Sequence, residues 1–138
     1  MTKEQNELTD KAKVLELIKS GNMVLEMLSD EFKNDKEIVL ESVKIAGSQL
    51  KYASEELRNN KEVVLQAVKT YGRALEFASD ELKNDRQIVL ESVKNNGLSL
   101  KYASEQLKHD KEIIMIAVDN NKEIAKYLNE APNKFVKT

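Results

Sequence analysis

The chain has 138 residues, with 22 Lys and Arg against 24 Asp and Glu, one His, no Cys and a formal net charge of −2. The lack of cysteine excludes disulfides and sulfur-built zinc sites, and the charge balance lacks the basic excess of a general nucleic-acid or membrane-surface binder. With 41% hydrophobic and 33% charged residues the composition is that of a folded protein with a heavily charged surface.

No apolar run approaches the ~20 residues of a membrane span. The start, MTKEQNELTD, lacks the apolar stretch of a signal peptide. A cytoplasmic protein without membrane contact is expected. One Pro and four Gly over this length favour helix throughout.

In chain order, residues 1–9 read as a flexible segment. From Asp10 the sequence repeats every 25 residues without an insertion. The units are 10–34, 35–59, 60–84, 85–109 and a shortened 110–130, with a tail at 131–138. The first, DKAKVLELIKSGNMVLEMLSDEFKN, is a degenerate copy that keeps Asp10, Val14, Leu15, Leu25, Ser29 and Asn34 in phase. The best-formed copies are DKEIVLESVKIAGSQLKYASEELRN, NKEVVLQAVKTYGRALEFASDELKN and DRQIVLESVKNNGLSLKYASEQLKH. The fifth begins DKEIIMIAVDNNKEIAKYLNE, and Pro132 follows as a helix stop.

Each unit divides in two. In the first half Ile38, Val39, Val43 and Ala46 fall on helical spacing. Asn34 or Asp35 caps its start, with Glu37 at capping-box distance from Asn34. Gly47, Gly72 and Gly97 follow the last apolar position, where a left-handed residue ends a helix. In the second half Leu50, Ala53 and Leu57 form a stripe, with Tyr52, Phe77, Tyr102 and Tyr127 beside it as the core rim. Ser54, Ser79 and Ser104 precede acidic or amide residues, a helix-start pattern that can divide this second segment. Helices this short are marginal alone, so each must lean on its neighbours. The fold expected is an all-α solenoid of about five helix-turn-helix repeats with degenerate capping repeats at both ends.

The phrases GSQLKYASEEL, GRALEFASDEL and GLSLKYASEQL, with KEVVLQAVK before the second, resemble a family of bacterial helical repeats of uncharacterised function. Its unit looks like K-E-V-V-L-x-A-V-K-x-x-G-x-A-L-x-Y-A-S-x-E-L. The likeness covers residues 35–109 well and 10–34 and 110–130 weakly. It implies a helical repeat fold and carries no catalytic residue.

No phosphate-cradling loop, nucleophile elbow or His-Glu-x-x-His motif occurs. His109 stands in the column of Asn34, Asn59 and Asn84 and reads as a cap. The carboxylates recur at fixed unit positions and read as helix-end and pairing residues. The expectation is a non-enzyme without metal or cofactor. Lys36, Lys61, Arg86 and Lys111 form one column and Lys44, Lys69 and Lys94 another. Such ladders can follow a phosphate backbone, which makes nucleic-acid binding the lesser alternative.

The units disagree most around the turn between their halves. Candidate partner-binding residues there are Ile45, Gln49, Thr70, Tyr71, Arg73, Asn95, Asn96, Leu98, Asn120 and Asn121. Solenoids bind along one extended face, and Tyr and Arg are enriched at interface hot spots. The reading is a protein-interaction module that docks a macromolecular partner along this edge. A small inhibitor carried by a mobile element, acting by covering a host protein surface, is the alternative. A monomer and a dimer stacked through the ends of the row both fit.

Overall fold

The computed structural model describes the backbone of residues 3–130 and the side chains of residues 10–126. Helix α1 (Lys3–Lys19) is followed by a 3₁₀ turn at Leu25–Met27 and the one-turn helix α2 (Asp30–Lys33). Three near-identical units come next. Helix α3 (Lys36–Ile45), the 3₁₀ segment Gly47–Tyr52 and α4 (Glu55–Arg58) make the first. Helix α5 (Lys61–Thr70), Gly72–Phe77 and α6 (Asp80–Lys83) make the second. Helix α7 (Arg86–Asn95), Gly97–Tyr102 and α8 (Glu105–Lys108) make the third, and α9 (Lys111–Asn120) and α10 (Glu123–Glu130) follow. No strand occurs among the described residues.

Successive units stack one on the next in a row. Helix α3 packs between α1 and α5, α5 between α3 and α7, and α7 between α5 and α9. The 3₁₀ segments form a second, parallel row, and each helix α5 and α7 touches its own unit's segment and that of the unit before. The chain is an all-α helical repeat solenoid.

Its core is columnar. Ile38, Val63, Ile88 and Ile113 are one fully buried column; Val39, Val64 and Val89, Val43, Val68 and Val93, and Leu25, Leu50, Leu75 and Leu100 are others. Each such side chain contributes roughly 1.5–3 kcal/mol on burial. A unit alone would leave its columns in water, so stability comes from the row.

Local chemistry sets the boundaries. The side chains of Asp35, Asn60, Asp85 and Asp110 accept the backbone N–H three residues on and cap α3, α5, α7 and α9. Asn34 does not share that duty. It ends α2, and its Oδ1 accepts from the Ser54 hydroxyl of the next unit at 2.6 Å. The same bond joins Ser79 to Asn59 and Ser104 to Asn84. Each of these serines also caps a one-turn helix, as Ser54 does by accepting from Leu57 N–H at 3.2 Å.

Two sequence expectations change. The second half of the three central units, 35–59, 60–84 and 85–109, is not one α-helical arm. It is a six-residue 3₁₀ segment that stops at the serine cap, with Ala53 N–H bonded three residues back to Leu50 O. The glycines after α3, α5 and α7 are not left-handed; among the described residues only Gly21 has positive φ, at 82°. Helix α1 begins at Lys3, upstream of the first repeat unit, where KEQNEL is rich in good helix formers. The tail at 131–138, with the Pro132 stop, and the Tyr127 side chain lie outside the described residues.

Gly47, Gly72 and Gly97 are needed for another reason. A Cβ on Gly72 would lie 2.5 Å from Ser92 O, and on Gly47 and Gly97 it would collide with the carbonyls of Ala67 and Ala117. Glycine here lets the chain touch the next unit's helix backbone. It also explains why that helix carries Ser42, Ala67, Ser92 and Ala117 in one column, all buried. Gly21, by contrast, ends α1 in a Schellman motif, with Gly21 N–H bonded to Ile18 O and Asn22 N–H to Leu17 O.

Candidate functional site

The charged columns are spent between units. Lys11 pairs with Asp35 at 2.8 Å and Glu37 at 3.2 Å, and Lys36 with Glu62 at 2.7 Å. Lys61 pairs with Asp85 at 3.0 Å, and Arg86 with Asp110 at 3.2 Å and Glu112 at 2.8 Å. The substitutions compensate. Where the cap is Asn60, Lys36 takes Glu62; where Gln87 replaces the glutamate, Lys61 takes Asp85. The hydrogen bond from Lys36 holds the Glu62 carboxyl below its ordinary range. The bonds to Glu112 and Asp110 raise Arg86. Lys44 and Lys94 face Glu41 and Glu91 on their own helices at 3.8 Å. Lys69 has Gln66 at that position instead and is in no ion pair among the described residues.

The turn-edge residues divide into two groups. Some tie units together. Asn95 Oδ1 accepts from Gly72 N–H at 2.6 Å and its Nδ2 donates to Lys69 O at 3.1 Å. Asn120 repeats this with Gly97 N–H and Lys94 O. The Thr70 hydroxyl donates to Val43 O at 3.1 Å, and Gln49 Oε1 accepts from Glu26 N–H at 3.3 Å. Asn96 and Asn121 accept from the backbone N–H two residues on, starting the next segment.

The others face outward. Ile45 is 55% exposed, Tyr71 38% and Leu98 38%. Val24, in phase with Gln49 on the first unit, is 39% exposed and joins them. It was not singled out by variation because the whole first unit is degenerate; its phase with Gln49 was the available signal. Beside Ile45 a small cleft of about 80 Å³ opens between the first two units, lined by Ile18, Met23, Val24, Ile45, Ala46 and Gln49 among others.

Arg73 donates from Nη2 to the Tyr102 hydroxyl of the next unit at 3.1 Å. That bond, and the charge interaction with Tyr102, hold the guanidinium above its ordinary pKa. Its Nε is shielded from solvent and has no hydrogen-bond partner. Tyr102 thus belongs to the edge as well as to the core rim. Among the described residues no group of three or more His, Cys, Asp and Glu side chains is placed to hold a metal, and no helix is long and apolar enough to cross a membrane.

This geometry repeats in pairs: the contacts of Gly47, Gly72 and Gly97, the serine–asparagine bonds and the ion pairs of Lys11, Lys36, Lys61 and Arg86 each join a unit to its immediate neighbour. The model of one family, described as Domain of unknown function (DUF4116), matches residues 10–58, 36–83, 60–108 and 85–134. The chain belongs to the DUF4116 family. Each match spans about two successive units and begins near a unit boundary, so the DUF4116 pattern records a unit together with the partner that covers it. No curated protein and no solved structure matches the chain.

Proposed function

We propose that this DUF4116 chain is a non-enzymatic interaction module that docks a protein partner along the turn edge. One observation carries the reading. Of the six large apolar side chains that the described fold leaves exposed, four lie in the edge columns, one on each of four successive units: Val24, Ile45, Tyr71 and Leu98. Apolar residues scattered singly over a surface need no explanation, but these four recur once per unit around the same turn, and solenoids bind along one extended face. The basic column once suited to a phosphate track favours this reading too, because Lys36, Lys61 and Arg86 are engaged by the next unit's acids.

The test is capture from source-cell lysate with Tyr71→Ala/Leu98→Asp beside the natural chain, the fold of each checked by circular dichroism. A retained protein should fall by at least about tenfold and be unaffected by Met115→Ser, an exposed residue outside the edge columns. Retention equal in both chains discards this face.

A further inference from the structure

We infer that the edge takes an extended acidic segment of its partner, with a carboxylate on Arg73 and an aliphatic side chain in the cleft beside Ile45. This deepens the interaction reading above and rests on it.

The three arginines of the chain differ in what they hold. Arg86 is already paired with two carboxylates, Asp110 and Glu112. Arg58 gives its Nε and Nη1 to the carbonyls of Ala53 and Phe77. Arg73 gives one Nη2 N–H to Tyr102 and is in no ion pair among the described residues; its Nε is shielded from solvent, which leaves Nη1 and the second Nη2 N–H as the edge open to a partner. A guanidinium offers five donors in a planar fork that fits a carboxylate in two parallel bonds. Glu76 acts on Arg73 only through space.

The unit 60–84 carries a second unpaired cation. Gln66 stands where Glu41 and Glu91 face a lysine, so Lys69 has no carboxylate one turn back. Lys69 and Arg73 therefore flank the exposed Tyr71, and this stretch of edge is positive although the whole chain has a net charge of −2. The complement is an acid. Within the edge columns Arg73 is the only cation, too few for a nucleic-acid backbone that presents a phosphate at every step.

One unit earlier the charge stops and the apolar cleft opens. Its volume of about 80 Å³ is smaller than the ~150 Å³ of a cavity that holds benzene, and it suits the tip of one aliphatic side chain. Neighbouring units lie ~8–10 Å apart. An extended chain advances ~3.3 Å per residue, so the acid and the aliphatic residue stand about three residues apart.

The test is selection of a displayed library of random 12-residue peptides on the whole chain, then fluorescence polarisation of the best binder. Enriched peptides should place Asp or Glu about three residues from Leu, Ile, Val or Met. Arg73→Ala should weaken the binder by about tenfold or more. Arg73→Glu, with an unchanged circular dichroism spectrum and melt, should instead enrich Lys and Arg. A binder lost with Ile45→Asp or Tyr71→Ala but indifferent to Arg73→Ala overturns this inference and leaves the edge reading standing. A binder indifferent to every edge variant overturns both. Basic binders on the natural chain, or no enrichment, overturn the acidic segment.

Discussion

Ser92 and Gly72 meet across a unit boundary so closely that the serine hydroxyl donates to the glycine carbonyl at 2.6 Å, and a Cβ on the glycine would stand 2.5 Å from the Ser92 carbonyl oxygen. The contact is backbone against backbone, so no side chain can swing aside. Gly72→Ala should therefore cost about 1–3 kcal/mol or more, the usual range for overpacking a tight interior. Gly21→Ala should cost about 1–2 kcal/mol for a different reason: its surroundings are open, but its φ of 82° disfavours an L side chain. Urea unfolding followed by circular dichroism checks both. Compensation by Ser92→Gly would not occur, because the clash is with the carbonyl.

The serine–asparagine bonds give a second, graded prediction. The Ser79 hydroxyl accepts from Leu82 N–H at 3.2 Å and donates to Asn59 Oδ1 at 2.5 Å. Ser29 caps Phe32 N–H at 3.4 Å, and among the described residues no asparagine is bonded to it from upstream. Ser79→Ala should cost about 1–2 kcal/mol, and Ser29→Ala the lower end of the ~0.5–2 kcal/mol range for a lost cap. Equal losses would mean that the inter-unit bond adds nothing. A double-mutant cycle with Asn59→Ala isolates that bond.

The period is legible as a recurrence every 25 residues, and the apolar stripes and the caps at Asp35 and Ser54 because each follows from residues three or four positions apart. The role of Gly72 is not. A glycine one place past a helix suits a left-handed cap and a backbone contact equally, and only the distance to Ser92, 20 residues on, separates them. The edge divides along the same line. Variation among units marks Ile45, Thr70, Asn95 and Asn120 as one column, but Asn95 and Asn120 are alike because both bridge to the preceding unit. The short 3₁₀ segment was also hidden, since Leu50, Ala53 and Leu57 keep a helical spacing across the break at Ser54.

The ion pairs predict a one-sided pH dependence. Asp110 lies below its ordinary pKa, first because it accepts the Ile113 N–H and then because Arg86 stands beside it. Burial works to raise Asp85, but the Ile88 N–H and Lys61 outweigh it and the net shift is also downward. A carboxyl depressed in the folded state adds stability above its unfolded pKa of ~3.9 and loses it as pH falls through the lower, folded value. Stability should therefore be flat with respect to these groups at neutral pH and fall below about pH 4. Asp110→Asn isolates the charge, because Asn60 already caps α5 in the same way. The variant should lose about 0.5 kcal/mol at pH 7, as befits an exposed pair, and shed less stability on acidification. Urea midpoints at pH 7 and pH 3 measure both. A steeper acid loss in Asp110→Asn would contradict the assignment.

The column of Ile45 and Asn95 yields the last prediction, which links the fold to the exposed edge. Asn95 satisfies the buried Gly72 N–H and also donates to Lys69 O. Asn95→Leu leaves that N–H without a partner and should cost about 1–3 kcal/mol. Asn22 occupies the position of Gly72 in the first unit, but its N–H is already bonded to Leu17 O in the Schellman motif. No donor there waits for an amide, and an apolar Ile45 is tolerated and left 55% exposed. Ile45→Asn should thus shift stability by no more than about 0.5 kcal/mol, as at an ordinary surface position. Amide hydrogen exchange distinguishes the two cases directly. Exchange at Gly72 should quicken in Asn95→Leu, whereas Asn22 should be unaltered in Ile45→Asn. A gain in stability or in Asn22 protection from Ile45→Asn would mean that the first junction lacks a bridge for some reason other than its glycine cap, and the cleft beside Ile45 would close with it.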